Sequence, residues 1–192
     1  MTKKILIFIP TYNENLNISN LFQSIISISP DYDVLIIDDN STDGTIEILE
    51  KLSLANCRLT VIHRPRKMGV GSAHNAAMIY ALKNEYEELV TMDADFSHSP
   101  NTIPLMLDQL KTSDFVIGSR YMKGGKCDYT GYRKWISLVA NHVARIILGI
   151  KIHECTTSFR AFRVPLFNSL NLSPIKSNGY SFFLECVNLD IF

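Results

Sequence analysis

Residues 33–52, DVLIIDDNSTDGTIEILEKL, contain the pattern that decides the fold. The segment begins with a continuous apolar run, which is typical of a strand buried on both faces of a sheet. A turn-forming Asp43–Gly44 pair follows, and the apolar residues after it recur at helical spacing. A buried strand, a polar turn and a helix in this order form the repeating unit of an α/β protein.

The same alternation extends over the first 120 residues. Apolar runs predict strands at 4–10, 33–39, 58–64, 88–93 and 114–119. Periodic patterns predict helices at 17–28, 45–52, 71–84 and 100–110. We therefore predict an α/β fold in which helices flank a mostly parallel central sheet.

Beyond Gly124 the alternation stops, and a loop-like segment precedes an apolar, amphipathic helix predicted over 135–150. Two interpretations of this helix stay open. It packs on the sheet core, or its basic and aromatic start, Arg133, Lys134 and Trp135, lies against a bilayer. Neither a repeat nor a linker divides the sequence, so we expect one domain over residues 1–192.

The charge balance, the apolar stretches and the cysteines of the sequence indicate which partners and which cellular compartment to expect. Nineteen basic residues balance 19 acidic ones, which argues against a nucleic-acid partner. No apolar stretch approaches the roughly 20 residues of a membrane span, so any membrane contact is predicted to be peripheral or made through a partner. Four widely spaced cysteines are predicted to be free thiols in a reducing, cytoplasmic compartment: Cys57, Cys127, Cys155 and Cys186.

Three polar segments follow predicted strands: PTYNE at 10–14, DDNSTDG at 38–44 and DADFSH at 93–98. In open α/β sheets, ligands bind at the carboxyl ends of the strands. Because the three segments lie at such ends, we expect them to share one edge of the sheet and to form a ligand site there.

Asp93 and Asp95 are the strongest candidates for metal ligands. Residues i and i+2 of an extended segment point to the same side, and two carboxylates placed that way repel each other unless a cation lies near them. Mg²⁺ or Mn²⁺ fits, because such ions join protein carboxylates to substrate phosphates. The alternative is a solvated loop in which one aspartate caps the next helix.

Two other motifs carry weaker signals. Asp38 and Asp39 can accept hydrogen bonds from a nucleobase or a ribose, although turn aspartates are the alternative. GVGSAH at 69–74 does not fit a dinucleotide-binding motif, because His74 replaces the last glycine and the loop follows RPRKM rather than a strand end. We expect its glycines to serve a tight turn and close helix packing.

Arg120 is predicted to lie at the same sheet edge, where a cation stabilises a leaving diphosphate. Further candidate cations, each with surface solvation as the alternative, are Arg133, Lys134, Arg160 and Arg163. The five histidines show no metal-ligand spacing and are expected to be structural. His98 is singled out because it lies beside Asp93 and Asp95.

Together these segments resemble the family-2 inverting glycosyltransferases of the GT-A fold, and most closely the dolichol- or polyprenol-phosphate mannose synthases. The resemblance is carried by PTYNE (10–14), IIDDNSTDGT (36–45), GVGSA (69–73), MDADFSHSP (92–100), GSRYMKGG (118–125), TTSFRAF (156–162) and GYSFFLE (179–185). It implies a Rossmann-like nucleotide-sugar transferase fold, a GDP-mannose donor, a polyprenyl or dolichyl phosphate acceptor, and Mg²⁺ or Mn²⁺. It also implies work at the cytoplasmic face of a membrane, with or without an anchoring protein partner.

The resemblance also implies residue roles. Five residues line the nucleoside pocket: Pro10, Tyr12, Glu14, Ile37 and Asp39. Asp93 and Asp95 bind the metal and the donor diphosphate, and Ala94 contacts the donor through its backbone. Ser97 supplies a further contact to the metal or the donor. Arg120 faces the donor sugar or phosphate.

The sequence departs from the family near its end. Family members continue after the GYSFFLE segment to a basic DRxxGxSK-like segment that contacts the donor phosphates, whereas this sequence ends at CVNLDIF. We therefore expect a GT-A domain truncated at its carboxyl terminus. Two alternatives to mannosyl transfer stay open: a related transferase that uses UDP-glucose, another donor or a non-lipid acceptor, and an inactive nucleotide-sugar-binding module.

Overall fold

The computed structural model describes residues 4–119 and 157–168. Six strands are β1 (Ile5–Thr11), β2 (Asp33–Asp38), β3 (Leu59–His63), β4 (Glu88–Thr91), β5 (Phe115–Ile117) and β6 (Arg160–Arg163). Four α-helices are α1 (Ile18–Ile28), α2 (Thr45–Ala55), α3 (Val70–Lys83) and α4 (Ile103–Gln109). Two 3₁₀ segments cover Pro100–Thr102 and Val164–Asn168. The strands and helices predicted over the first 120 residues are confirmed, with shifts of a few residues at their ends.

The six strands form one sheet in the order β3-β2-β1-β4-β6-β5. Strands β3, β2, β1 and β4 are parallel to one another, which confirms the predicted mostly parallel sheet. The unpredicted feature is β6, which pairs antiparallel with both β4 and β5. It inserts between two strands that precede it in the sequence.

Helices cover both faces of the sheet, because alternate residues of each buried strand point to opposite sides. On one face, Ile7, Ile9 and Ile36 belong to a core cluster with residues of α1 and α4. On the other face, Phe8 and Ile37 belong to a cluster with residues of α3. The continuous apolar runs of β1 and β2 follow from this double coverage.

No helix in the described part of the chain is long and apolar enough to cross a bilayer. The helix predicted over 135–150 lies outside the described residues. Cys57 is a free, exposed thiol, as predicted, and the other three cysteines lie outside the described residues.

Gly118, directly after β5, lies against the segment that leads into β6. Its N–H donates to the Phe159 carbonyl at 2.9 Å. A Cβ at this position would lie 2.4 Å from Cδ1 of the Phe159 ring. That ring stacks on His98 with 4.8 Å between centroids, so it has little freedom to move aside. The close approach of the two segments therefore requires glycine.

We expect Gly118→Ala to lower the free energy of unfolding by about 1–3 kcal/mol, because overpacking forces ring and backbone shifts. Urea denaturation followed by circular dichroism measures the change. Ser113→Ala, an exposed position in the preceding loop, is the control and should have no measurable effect. Equal stability of Gly118→Ala and the wild type would contradict this packing.

His74 is a core histidine, as predicted, on the face of α3 that contacts the sheet. Its ring meets Phe8 edge to face with 5.0 Å between centroids. Its Nδ1 donates to the Val70 carbonyl at 2.9 Å. Burial is the main cause that lowers the pKa of His74 from 6.5 to about 4. The hydrogen bond to Val70 acts to raise the pKa, and the charge of Arg160 acts to lower it further.

The depressed pKa of His74 predicts a pH dependence of stability. Below pH 6.5 His74 of the unfolded chain becomes protonated, whereas His74 of the folded chain stays neutral down to about pH 4. The free energy of unfolding therefore falls as the pH drops from 6.5 to about 4. We expect this residue to remove up to about 1.4 kcal/mol per pH unit from the free energy of unfolding.

Urea denaturation between pH 7 and pH 4.5 measures this loss. His74→Gln has no imidazole at this position, so its free energy of unfolding should fall less steeply with decreasing pH than that of the wild type. All other titratable groups are the same in both proteins, so the difference in slope reports on His74. NMR titration of the wild-type ring is the second readout and does not depend on the variant folding. A folded-state His74 that protonates near pH 6.5 would contradict the prediction.

Candidate functional site

A cavity of about 250 Å³ opens at the carboxyl edge of the parallel strands. Its walls come from the ends of β1, β2 and β4 and from the start of α3. Its lining residues are Pro10, Thr11, Tyr12, Glu14, Asp39, Lys67, Val70, Ala73, Asp93, Ala94 and Asp95. The three polar segments that follow β1, β2 and β4 therefore meet at one site, as their positions in the sequence predicted.

The loop after β4 brings Asp93 and Asp95 to the same cavity. The Asp93 N–H donates to Nδ1 of His98 at 3.2 Å, and one Asp93 carboxylate oxygen lies 3.8 Å from the same nitrogen. Because Nδ1 of His98 accepts this hydrogen bond, it carries no hydrogen of its own. The neutral His98 ring therefore has its hydrogen on Nε2, which lies 3.3 Å from the Thr157 hydroxyl. Buried His98 thus fixes the backbone that presents Asp93.

Asp95 is oriented by the tight turn that follows it. Its Oδ1 accepts the Ser97 N–H at 2.9 Å. Burial acts to raise the pKa of Asp95, but hydrogen bonds from the Ser97 hydroxyl and the Ser97 N–H outweigh it, so the pKa lies below its usual value. Asp95 is therefore an anion at neutral pH. Exposed Phe96 takes a left-handed backbone (φ 59°) to complete the turn.

Ser97 itself is exposed and is not among the residues that line the cavity. Its hydroxyl and its N–H both serve Asp95. A direct contact of Ser97 with a metal or a donor stays a prediction.

Asp39 is buried and accepts three hydrogen bonds from one loop. Arg64 Nη1 donates to its Oδ1 at 3.0 Å. The Met68 and Gly69 N–H groups donate to its Oδ2 at 3.2 and 2.8 Å. The carboxylate therefore stabilises the amino end of α3 as well as lining the cavity. Since a carboxylate offers about four acceptor positions, the residues that the structure describes leave one position on Oδ1 to a ligand.

Asp38 and Ile37 lie differently from what the sequence suggested. Asp38 is buried and accepts hydrogen bonds from the Thr11 hydroxyl at 2.9 Å, the Ser41 N–H at 2.9 Å and the Ser41 hydroxyl at 2.5 Å. It is the turn aspartate of the alternative interpretation. Ile37 is packed in the core with α3 and does not line the cavity, because its side chain leaves β2 on the α3 face of the sheet.

The segment after β1 is fastened to the turn after β2. Asn13 N–H donates to the Ser41 hydroxyl at 2.8 Å, and Glu14 N–H donates to the Thr45 hydroxyl at 2.9 Å. The Asn15 side chain donates to the Asp43 carbonyl at 2.6 Å. These bonds hold Pro10, Tyr12 and Glu14 along one wall of the cavity.

Lys67 and Thr11 are lining residues that the sequence did not single out. The Lys67 ammonium lies over the Tyr12 ring, 3.6 Å from its centroid. The only local signal was the basic segment RPRKM, which does not say which of its three cations faces a ligand.

The other predicted cations divide into two groups. Arg120, Arg133 and Lys134 lie outside the described residues. Arg160 and Arg163 are described, and the structure places neither in the cavity. Arg160 is buried in the sheet and donates to the Thr157 carbonyl at 2.9 Å, so surface solvation was wrong for it as well. Arg163 donates to the Leu110 carbonyl at 2.8 Å and ties β6 to α4.

The donor set at the cavity suits Mg²⁺ or Mn²⁺. Within residues 4–119 and 157–168, no three side chains of His, Cys, Asp or Glu lie close enough to form a complete metal site. Two carboxylates on one cavity wall are nevertheless what such ions use when substrate phosphates and water complete their coordination. Asp93 and Asp95 fit this pattern.

Residues 6–170 match the family model described as glycosyl transferase family 2. The chain belongs to this family. Polyprenol monophosphomannose synthase of Mycolicibacterium smegmatis is 37% identical over 187 residues, which cover 96% of this chain and 71% of that protein. Undecaprenyl-phosphate mannosyltransferase of Micrococcus luteus is 37% identical over 183 residues, which cover 95% and 75% respectively.

Solved structures of glycosyltransferases share the fold. Glucosyl-3-phosphoglycerate synthase from Mycobacterium tuberculosis, in complex with Mn²⁺, UDP-glucose and phosphoglyceric acid, aligns with a TM-score of 0.69 and 20% identity, covering 98% of this chain and 67% of that one. The mannosyltransferase PcManGT from Pyrobaculum calidifontis, in complex with GDP-Man and Mn²⁺, aligns with a TM-score of 0.60 and 19% identity, covering 95% and 51%. The predicted GT-A fold is thereby confirmed for this member of family 2.

The Arg64–Asp39 ion pair generates a stability prediction. Its side chains are 8% and 9% exposed, so loss of the cation leaves a buried carboxylate without its counter-charge. We expect Arg64→Met to lower the free energy of unfolding by about 3 kcal/mol, the lower end for breaking a buried pair, because two N–H donors remain.

Arg58→Met is the matched control. It breaks a pair with Asp33 of similar length, 2.9 Å, in which the arginine side chain is 45% exposed. The expected loss is under about 1 kcal/mol. Urea denaturation measures both variants, and equal losses would show that the Arg64 pair does not stabilise the loop before α3.

Proposed function

We propose that this chain transfers mannose from GDP-mannose to a polyprenyl or dolichyl phosphate, with inversion at the anomeric carbon. The observation that carries the proposal is the convergence of Asp93, Asp95, Tyr12 and Asp39 on one cavity in a family-2 fold. Relatives that are 37% identical over nearly all of this chain are named as polyprenol-phosphate and undecaprenyl-phosphate mannosyltransferases, which supports the choice of sugar and acceptor.

The reaction is a single in-line displacement. A phosphate oxygen of the acceptor forms a bond to the anomeric carbon, the bond to the donor diphosphate breaks, and the electron pair leaves with GDP. The acceptor phosphate is already an anion, so no side chain has to act as a strong general base. The protein positions the two substrates and neutralises the charge that develops on the leaving group.

Five of the lining residues have a proposed part in this reaction. Asp93 and Asp95 would hold a divalent ion, and such an ion would supply charge neutralisation for the leaving diphosphate. Ala94 contacts the donor through its backbone. Tyr12 presents a half-exposed ring to the nucleoside, and Asp39 offers it one remaining acceptor position. Arg120 is proposed, from the family resemblance, to add positive charge near the donor sugar or phosphate.

The acceptor places the reaction at a membrane surface. A polyprenyl tail leaves a bilayer only at great cost, since each buried CH₂ contributes roughly 0.8 kcal/mol. We therefore propose peripheral contact with the cytoplasmic face of a membrane, made by the chain itself or through an anchoring partner. Co-sedimentation with anionic liposomes at low and high salt tests this contact.

We expect Asp95→Asn to abolish Mn²⁺-dependent binding of GDP-mannose and to keep the fold, because the carboxylate faces the cavity rather than the core. Isothermal titration with and without Mn²⁺ measures the effect. Asp108→Asn, an exposed aspartate of α4, removes the same charge away from the cavity and should bind as the wild type does. Unchanged affinity in Asp95→Asn would refute its role in holding the metal.

Transfer of labelled mannose from GDP-mannose to undecaprenyl phosphate, in the presence of Mn²⁺, tests the function directly. Thermal shifts with GDP and UDP, each with Mn²⁺, test the donor. A larger shift with UDP would replace the mannose assignment by a UDP-sugar, such as the UDP-glucose of the M. tuberculosis enzyme. Nucleotide binding without transfer to any acceptor lipid would mark the chain as an inactive binding module.

A further inference from the structure

We propose that Lys67 is a donor-binding residue that contacts the diphosphate and that the Tyr12 ring holds it ready for this contact. The inference rests on the proposed function, because it assigns one more residue to the same nucleotide-sugar site. The resemblance to known transferases gave Lys67 no role, and the assignment comes from the contacts of this side chain in the cavity.

The first support is the charge of the cavity. Four carboxylates line it, those of Glu14, Asp39, Asp93 and Asp95, and Lys67 is the single cation among the described lining residues. A nucleoside diphosphate brings further negative charge to this wall. A divalent ion at Asp93 and Asp95 offsets part of it, and an ammonium in the same cavity is suited to offset more.

The second support is the way in which Lys67 is held. Its neighbours on both sides are fixed to Asp39, on one side by the Arg64 side chain and on the other by the Met68 and Gly69 N–H groups. The backbone that carries Lys67 is thus tied to the cavity wall. Its ammonium then rests 3.6 Å from the centroid of the Tyr12 ring. A lysine ordered before the ligand arrives loses less freedom on binding.

The third support is what Lys67 does not contact. Within the part of the chain that the structure describes, the Lys67 ammonium makes no ion pair, although four carboxylates line the same cavity. The face of an aromatic ring satisfies an ammonium only in part, and because Lys67 is exposed its N–H donors are left to water until a ligand displaces it. Phosphate oxygens of a donor in this cavity are acceptors of the required charge.

Two N–H groups directly before α3 are not available to a phosphate. Helix amino ends commonly bind phosphate through their first N–H groups. Here the N–H groups of Met68 and Gly69, directly before α3, already donate to Asp39. These two N–H groups therefore serve an internal carboxylate, and a phosphate at this wall needs other donors, of which the Lys67 ammonium is one.

Isothermal titration with GDP and with guanosine, each with Mn²⁺, tests the assignment, because the two ligands differ only in the diphosphate. UDP and uridine form a parallel pair of ligands, so the test does not depend on the base. We expect Lys67→Met to weaken binding of the diphosphate roughly 10- to 100-fold, the range for one hydrogen bond to a charged group. Nucleoside binding should stay within about 2-fold, and Lys67→Arg should retain most of the diphosphate affinity.

Lys83→Met is the matched control, because it removes the same charge from the exposed far end of α3. Tyr12→Phe and Tyr12→Leu test the role of the ring. Both can alter nucleoside binding, so the readout is the ratio of diphosphate to nucleoside affinity. Tyr12→Phe keeps an aromatic ring under Lys67 and should keep that ratio, whereas Tyr12→Leu removes the ring and should reduce it. Thermal melting of each variant verifies that it is folded.

The outcomes separate the inference from the proposed function. Wild type that binds neither GDP nor UDP would overturn the proposed function itself. If Lys67→Met binds the diphosphate as tightly as the wild type does, the role of Lys67 is overturned and the proposed function still stands. Equal losses of diphosphate and nucleoside affinity in Lys67→Met would place Lys67 in the nucleoside pocket and would also overturn the inference.

Discussion

The carboxylate of Asp39 connects three parts of the molecule on which the site depends. It lies at the end of β2, pairs with Arg64 after β3, and accepts the N–H groups that lead into α3. A carboxylate this deeply buried is stable only with such a full set of partners. The wall of the cavity formed by α3 is consequently positioned by an anion and not by apolar packing alone.

The parallel sheet does the rest of the positioning. Strands β1, β2 and β4 end at one edge, and the polar segment after β1 is hydrogen-bonded to the turn after β2. These bonds fix the side of the cavity that we propose binds the nucleoside. The side proposed to hold the metal is fixed separately, by His98 behind Asp93 and by the Ser97 turn on Asp95. A site assembled from two independently supported halves suits a ligand that has a base at one end and a charged phosphate group at the other.

The sequence reveals the parts of this protein that have a local signal. Strand–turn–helix units were predictable because apolar runs and helical periods lie within short windows, and Asp93 and Asp95 because both follow a buried strand. Strand β6 was not predictable, since its partners are far away in the chain. The orientation of Ile37 was hidden by a strand that is apolar on both faces and has no period of two. The place of Lys67 depends on Asp39 and Tyr12, which only the folded chain brings near.

The insertion of β6 between β4 and β5 has a consequence for the order of events during synthesis. A ribosome delivers β4 and β5 long before residues 160–163, so β4 leaves the exit tunnel as an open edge of the nascent sheet. Two further contacts also need that later segment: the Thr91 hydroxyl donates to the Ser158 carbonyl, and His98 contacts Thr157. The strand that leads into the loop of Asp93 and Asp95 thus gains its β6 partner late. The cavity wall at the ends of β1 and β2 can therefore assemble while the chain is still growing, whereas the contacts of Thr91 and His98 with residues 157–158 form afterwards.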